Sequence, residues 1–234
     1  MVVFPHMMAP FIVGRENSVH ALELSLREHE KHIFLVAQRD PRVDEPERDD
    51  MHDIGVIARI VQNVKLPNGN VKVMVEGIRR GRLLEIHEED GAELVEVEGL
   101  DVDFPFDDKL ETYMKKVLDV FEQYAKVSHH LAFEGLVSTI KMDDPDRFAD
   151  TLAAHLMVST AEKQGLMELL NPYERMQRLH DLLDVEVEKV NIDRRINVQV
   201  KKQMERAQKE HYLNAKVKAI NDELSQDRAD SVRK

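Results

Sequence analysis

From Tyr173 to Lys234 the chain contains neither glycine nor proline. Few arrangements other than one continuous helix suit so long an uninterrupted stretch. Asn171-Pro172-Tyr173-Glu174 opens it. Asn is a good N-cap, Pro is at home at the first helical position, and a Glu at the third can reach back to the cap. A helix over Tyr173–Ser225 would be about 80 Å long, which points to a coiled coil or a strut between domains.

Its apolar residues fall into three phased runs: Met176, Leu179, Leu183, Val187, Val190; then Ile192, Ile196, Val200, Met204, Ala207; then Leu213, Val217, Ile220, Leu224. The step from Val190 to Ile192 breaks phase, so a bend or a change of packing partner is expected near Asn191. The third run has the 4-3-4 spacing of a heptad seam. One rival reading exists: Ile196-Asn197-Val198-Gln199-Val200 alternates and is β-branched, as a strand would be.

Charge is uneven along the chain. The formal net charge is −12, yet Lys189 to Lys218 carries nine Lys/Arg against three Asp/Glu, a local +6, which leaves −18 elsewhere. Arg194, Arg195, Lys201, Lys202, Arg206 and Lys209 form a basic segment that could neutralise phosphates. No series of stacking aromatics accompanies it, so a solvated helix face or a seat for an acidic neighbour is the simpler reading.

Before the long helix the chain divides by period. Residues 1–103 read as a mostly antiparallel β unit with one helix. Val2–Phe4 is expected as a first strand, Asn17 or Ser18 as the cap of a helix through Glu28, and His32–Gln38 as a buried strand. Ile54–Leu66 and Asn70–Glu76 flank Pro67-Asn68-Gly69, and Asn-Gly between such runs signals a two-residue primed hairpin turn. Val71, Val73 and Val75 alternate with Lys72, Met74 and Glu76, so one face should be buried. Gly77 and Gly81 punctuate the chain after Glu76, and Arg82–His87 and Glu93–Leu100 are expected as two further strands.

Residues 104–170 read as a small helical bundle. Asp107 or Asp108 starts a helix with Leu110, Tyr113, Val117, Phe121 and Tyr124 inward. A short one comes next, around Phe133–Ile140. Asp144-Pro145 starts a third, and Ser159-Thr160-Ala161-Glu162 is a capping box for a fourth. Residues 171–234 are the long helix, giving an α+β chain.

Much chemistry is excluded. Cysteine is absent, which removes disulfides and thiol catalysis and favours a cytoplasmic-type compartment. There is no phosphate-binding Gly-rich loop ending in Lys-Ser/Thr and no Gly-x-Ser-x-Gly elbow. His29-Glu30-Lys31-His32 is one residue short of a zinc-helix motif, and adjacent His129-His130 point in different directions on a helix. No metal and no catalytic residue is assigned. No apolar run approaches the roughly 20 residues that span a bilayer, and Met1–Pro5 lacks the basic start of a signal peptide.

Several short motifs together resemble one family. Phe4-Pro5-His6-Met7, Val13-Gly14-Arg15-Glu16, Leu35-Val36-Ala37-Gln38, Leu66-Pro67-Asn68-Gly69 and Val73–Gly77 resemble the N-terminal region of Lon proteases. So do Asp150–His155 and, most specifically, Val200-Lys201-Lys202-Gln203-Met204-Glu205. Two departures stand out: His211 occupies a position where the family prefers Tyr, and Ala215-Lys216-Val217 replaces a Glu-Gln-Met-like triplet. The resemblance implies a PUA-like β domain, a helical bundle and a helix leading toward an AAA+ ring. It implies a hexameric parent that degrades damaged, unfolded or regulatory proteins, with ATP and Mg bound in an ATPase module outside this chain.

A surface that captures unfolded protein needs exposed, adaptable apolar side chains. Met7, Met8, Pro10 and Phe11 are the candidates in the β unit; Met204, Tyr212, Leu213, Val217 and Ile220 are those on the long helix. Against them stands the simpler reading that Met8 and Phe11 fill core. Three functions compete: a non-catalytic substrate-capturing module, a nucleic-acid binder through the basic segment, and an oligomerisation scaffold.

Overall fold

A computed structural model describes residues 1–44, 46–89, 92–101, 104–128, 140 and 142–231, without the side chains of 88, 89, 92, 93 and 218–231. Two compact units emerge, Met1–Val185 and Glu186–Lys234. Among the described residues the first holds a five-stranded antiparallel sheet, four α-helices and the opening turns of a fifth. The second is the continuation of the last helix.

The strands are β1 (Met8–Val13), β2 (His32–Leu35), β3 (Ile54–Lys65), β4 (Val71–Glu89) and β5 (Ala92–Leu100), with helix α1 (Glu16–Glu28) between β1 and β2. Their order is β1-β4-β3-β2, and β5 also pairs with β4. β4 is long enough to serve two neighbours on one edge. Residues 71–76 pair with β1 and residues 80–89 pair with β5, while β3 runs along the other edge. The expected alternation holds: Val71, Val73 and Val75 are buried together with Ala9, Val56, Ala58 and Ile60.

Several local expectations need correction. Val2–Phe4 is not a strand but a buried irregular segment. His6, at φ 60°, turns the chain into β1. Helix α1 begins one residue before Asn17, and Arg15 occupies its N-cap without a side-chain cap bond. Strand β2 stops at Leu35, although Gln38 still bridges to Met51. Two expected strands merge into β4, with Gly77 and Gly81 inside it. Neither glycine ends the strand, because each lies where another group packs too closely for a Cβ.

The β3–β4 hairpin is also built differently from the expected primed turn. Gly69 N–H donates to Leu66 O at 3.1 Å and Leu66 N–H to Asn70 O at 2.8 Å. Gly69 has φ +85°, whereas Asn68 is not among the positive-φ residues. The loop therefore has three residues, a turn led by Pro67 closed by a glycine in the left-handed region. Asn68 Oδ1 accepts from Asn70 N–H at 3.2 Å.

The helices after the sheet obey their capping signals. Helix α2 (Asp108–Ser128) is capped by Asp107, whose Oδ1 accepts from Leu110 N–H at 2.8 Å. It buries Leu110, Met114, Val117, Phe121 and Tyr124, while Tyr113 is half-buried beside Tyr173, with ring centroids 5.3 Å apart. Helix α3 (Pro145–His155) is capped by Asp144, and α4 (Thr160–Glu168) by the Ser159–Glu162 box. Phe133 and the other residues of the expected short helix up to residue 139, like His129 and His130, lie outside the described residues.

Helix α5 (Pro172–Ser231) is one continuous helix, which removes the strand alternative for Ile196–Val200. Asn171 Oδ1 accepts from Tyr173 N–H at 2.9 Å. Met176, Leu179, Leu182 and Leu183 are buried in the first unit, and Val185 is already exposed. Burial thus ends at Leu183, about two turns before the phase break at Asn191.

Candidate functional site

The pairing register brings together an apolar face that single strands only half reveal. Met8 pairs with Glu76, Pro10 with Met74 and Ile12 with Lys72 on β4. On the other side of β4, Glu76 pairs with Arg59, Met74 with Gln62 and Lys72 with Val64. Directly paired residues point to the same face of a sheet. The outer face therefore carries Met8, Pro10, Ile12, Met74 and Val64, with Val61 beside them at a bulge. Met8 is 50% exposed, Ile12 60% and Val61 51%, which is high for residues of this type. Arg59 and Glu76 pair across the face at 2.6 Å.

Alternation splits the expected quartet. Met8 and Pro10 lie on this outer face; Phe11 points the other way and, like Met7 just before the strand, is half-buried. Phe11 lines a cavity of about 1330 Å³ bounded by α1, β2 and β5, to which Val13, Leu24, Phe34, Ile57, Leu83 and Val97 also contribute. That cavity explains why Ile33–Ala37 is half-buried where a fully buried strand was expected. Ile12, Val61, Val64 and Met74 went unrecognised in the sequence, because their approach depends on register.

On α5, Met204, Tyr212, Leu213 and Val217 are all exposed, as are Ile192, Ile196 and Val200. The side chain of Ile220 lies outside the described residues. At about 100° per residue, Ile192, Ile196, Val200 and Met204 trace one side of the helix, and Arg195, Lys202, Arg206 and Lys209 trace the adjoining side. Arg194, Arg195, Lys201, Lys202, Arg206 and Lys209 are all exposed. Arg195 Nη2 lies 3.1 Å from Glu188 Oε1.

A buried charged node lies where the sheet meets the helices. Arg80 of β4 donates from Nη1 and Nη2 to the two oxygens of Asp150 on α3, at 2.7 and 2.6 Å. Arg175, in the first turn of α5, donates from Nη1 to Asp150 Oδ1 at 2.9 Å and to Asp146 Oδ1 at 2.7 Å. The same two guanidiniums satisfy carbonyls at the C-terminal end of α4. Arg80 Nε reaches Met167 O at 3.0 Å, and Arg175 Nε and Nη2 reach Leu169 O at 2.9 and 2.7 Å. A helix end buried away from water needs such donors. The Asp150 and Arg175 side chains are 0% exposed and that of Arg80 is 4%. Burial pushes the Asp150 carboxyl up, and the Arg175 and Arg80 guanidiniums pull it back.

Sequence reading missed this node. Ile78 is the extra residue of a bulge, since Gly77 pairs with Ala58 and Arg79 with Ile57. It shifts the inward alternation of Val71, Val73 and Val75 onto Arg80 instead of Arg79. Arg175 stands one helical turn before Leu179, and Asp150 lies between Phe148 and Leu152 on the buried side of α3. Charges in such company were the available signal.

Among the described residues, Glu85, His87 and Glu96 bring possible ligand atoms within 4.8 Å of one another. All three are exposed, with His87 Nε2 3.4 Å from Glu85 Oε2. Such groups are common on acidic surfaces, and no metal is assigned to this one. No helix among the described residues is long and apolar enough to cross a membrane.

Comparison with known proteins agrees with this architecture. The chain is 43% identical over 224 residues to a Lon protease of Solibacter usitatus, covering 96% of this chain and 28% of that protein. It is 38% identical over 226 residues to the Lon protease of Escherichia coli K12, covering 97% of this chain and 29% of that protein. It thus spans under a third of the length of the curated relatives it matches. Its fold is similar to that of the N-terminal domain of a Mycobacterium avium complex Lon protease. The TM-score is 0.64 at 22% identity, covering 78% of this chain and 92% of that one. The model of the ATP-dependent protease La (LON) substrate-binding domain matches residues 1–185, the first compact unit, and the chain belongs to that family.

Proposed function

We propose that this chain is the non-catalytic, substrate-recognising module of an ATP-dependent Lon-type serine protease. It holds unfolded, damaged or regulatory proteins through the outer face of β1, β4 and β3. One observation carries this reading: the register gathers Met8, Pro10, Ile12, Val64 and Met74 into an exposed apolar face on a chain of the substrate-binding family. Flexible methionines let such a face accept varied sequences. ATP and Mg belong to an ATPase module outside this chain, and the parent works as a cytoplasmic hexamer. The exposed apolar residues of α5, Met204, Leu213 and Val217 among them, serve assembly or further contact with substrate.

The test is fluorescence anisotropy with a labelled, permanently unfolded polypeptide. Met8→Asp with Ile12→Asp should weaken binding tenfold or more, because charge replaces exposed apolar contact on a face whose burial the fold does not need. Equal affinity for both proteins, with unchanged circular dichroism, would remove this face from the mechanism.

The exposed basic side of α5 supports a second reading, binding to nucleic acid through Arg195, Lys202, Arg206 and Lys209. Affinity for duplex DNA that falls steeply with salt is its signature. Binding absent at low salt would dispose of it.

A further inference from the structure

We propose that Arg80, Asp150 and Arg175 act as a joint that makes the sheet and the root of α5 open as one cooperative unit. The node gathers groups from β4, from α3, from the carbonyl end of α4 and from the first turn of α5. Gln164 Nε2, donating to Ile54 O at 2.8 Å, and His52 Nδ1, 2.9 Å from Glu168 Oε1, add further links between sheet and helices.

The physics of the node differs from that of an apolar seam. Apolar contact is non-directional, so two packed layers can shift and repack with a graded loss. A guanidinium–carboxylate fork has one geometry, and moving its donors by an ångström or two breaks it. Asp150 is completely enclosed. If α3 swings away from the sheet, Arg80 is left without its carboxylate; if the root of α5 swings away, Asp150 loses Arg175. If the sheet moves, Asp150 loses both bonds from Arg80 and the full burden of its charge falls on Arg175. Each half therefore penalises the opening of the other, and small local openings of the helical half are suppressed while the sheet stays closed. A buried charge cluster adds little net stability compared with apolar side chains of the same size. The joint accordingly acts on which openings are allowed more than on overall stability, and it does not depend on what the sheet face binds.

Native-state hydrogen exchange on the whole chain tests the joint. In the parent protein the slowest amides of β3 and β4 and those of α3 and Pro172–Val185 should share one opening. In Asp150→Asn the two groups should separate, with protection differing by tenfold or more between sheet and helices. An equal fall in both groups would show ordinary destabilisation, and no change in either would show that the node does not constrain opening; both results overturn the proposal. Should Asp150→Asn fail to fold, the triple variant Arg80→Met, Asp150→Leu, Arg175→Met leaves no enclosed unpaired charge, since Asp146 is 39% exposed. The same tenfold separation is expected there, and shared protection would again overturn the joint.

Discussion

Replacing Gly77 by alanine isolates a close backbone approach that no helix or strand propensity describes. A Cβ at Gly77 would stand 2.2 Å from Phe4 O, 3.0 Å from Phe4 C and 3.3 Å from Pro5 Cα. All three are backbone atoms and cannot rotate aside. Carbon and oxygen in contact need about 3.3 Å, so the N-terminal segment must move by roughly 1 Å. Two hydrogen bonds resist this: His6 N–H donates to Gly77 O at 2.8 Å, and Gly77 N–H donates to Met7 O at 2.9 Å. The moving segment carries Val2, Val3 and Phe4, all buried. Losing both bonds costs about 2 kcal/mol. Uncovering part of Phe4 adds about 1 kcal/mol, against about 1.5–3 for a whole side chain. The total, about 3 kcal/mol, corresponds to a melting point lower by about 6–12 °C for a unit of this size. Calorimetry reads this directly. Gly165→Ala is the control: it lies inside α4 with nothing within 4 Å of a new Cβ. It should stabilise by about 0.5–1 kcal/mol. A loss below about 0.5 kcal/mol at Gly77, or equal harm at both positions, would refute the steric argument.

Gly69→Ala should destabilise by about 1 kcal/mol despite open space around it, because φ +85° strains an L-residue there; denaturant titration reads the shift. Ser159→Ala removes the acceptor of Glu162 N–H at 3.2 Å and should cost about 1 kcal/mol, seen as earlier loss of α4 helicity on heating. The Arg48 bond holds Asp53 below its ordinary value of 3.8, and bonds from Lys65 and Arg42 do the same for Glu23 and Asp40. A depressed folded value means stability present above the unfolded value and lost as pH falls through the folded one. An acid titration should therefore show stability declining below about pH 4, less steeply in Asp53→Asn; identical acid limbs would contradict this.

Much of the architecture was legible because it rests on local chemistry. Asn171, Asp144 and Ser159 each present a side-chain acceptor to the free N–H groups of the next turn, and all three start helices in the structure. Absence of glycine and proline carried α5 through Ile196–Val200 despite its strand-like alternation. Alternating valines identified the buried side of β4, and clustered motifs identified the family. What failed at this level was still local but finer: whether Asn68 takes positive φ depends on how many residues close the loop, and the strand partners determine that number.

Tertiary structure decided the two features on which the proposals rest. The outer apolar face exists only because β1 and β3 flank β4 in one register, which brings Pro10, Met74 and Gln62 into line from three separated segments. A shift of one residue would turn each of them to the other face. The charged node exists because a bulge at Ile78 turns Arg80 inward toward Asp150, 70 residues away in sequence. Periodicity assigns a residue to a face of its own element, but it contains no information on where that element's neighbours lie. Exposure of an apolar side chain and pairing of a buried charge are both properties of those neighbours, so only the assembled fold determines them.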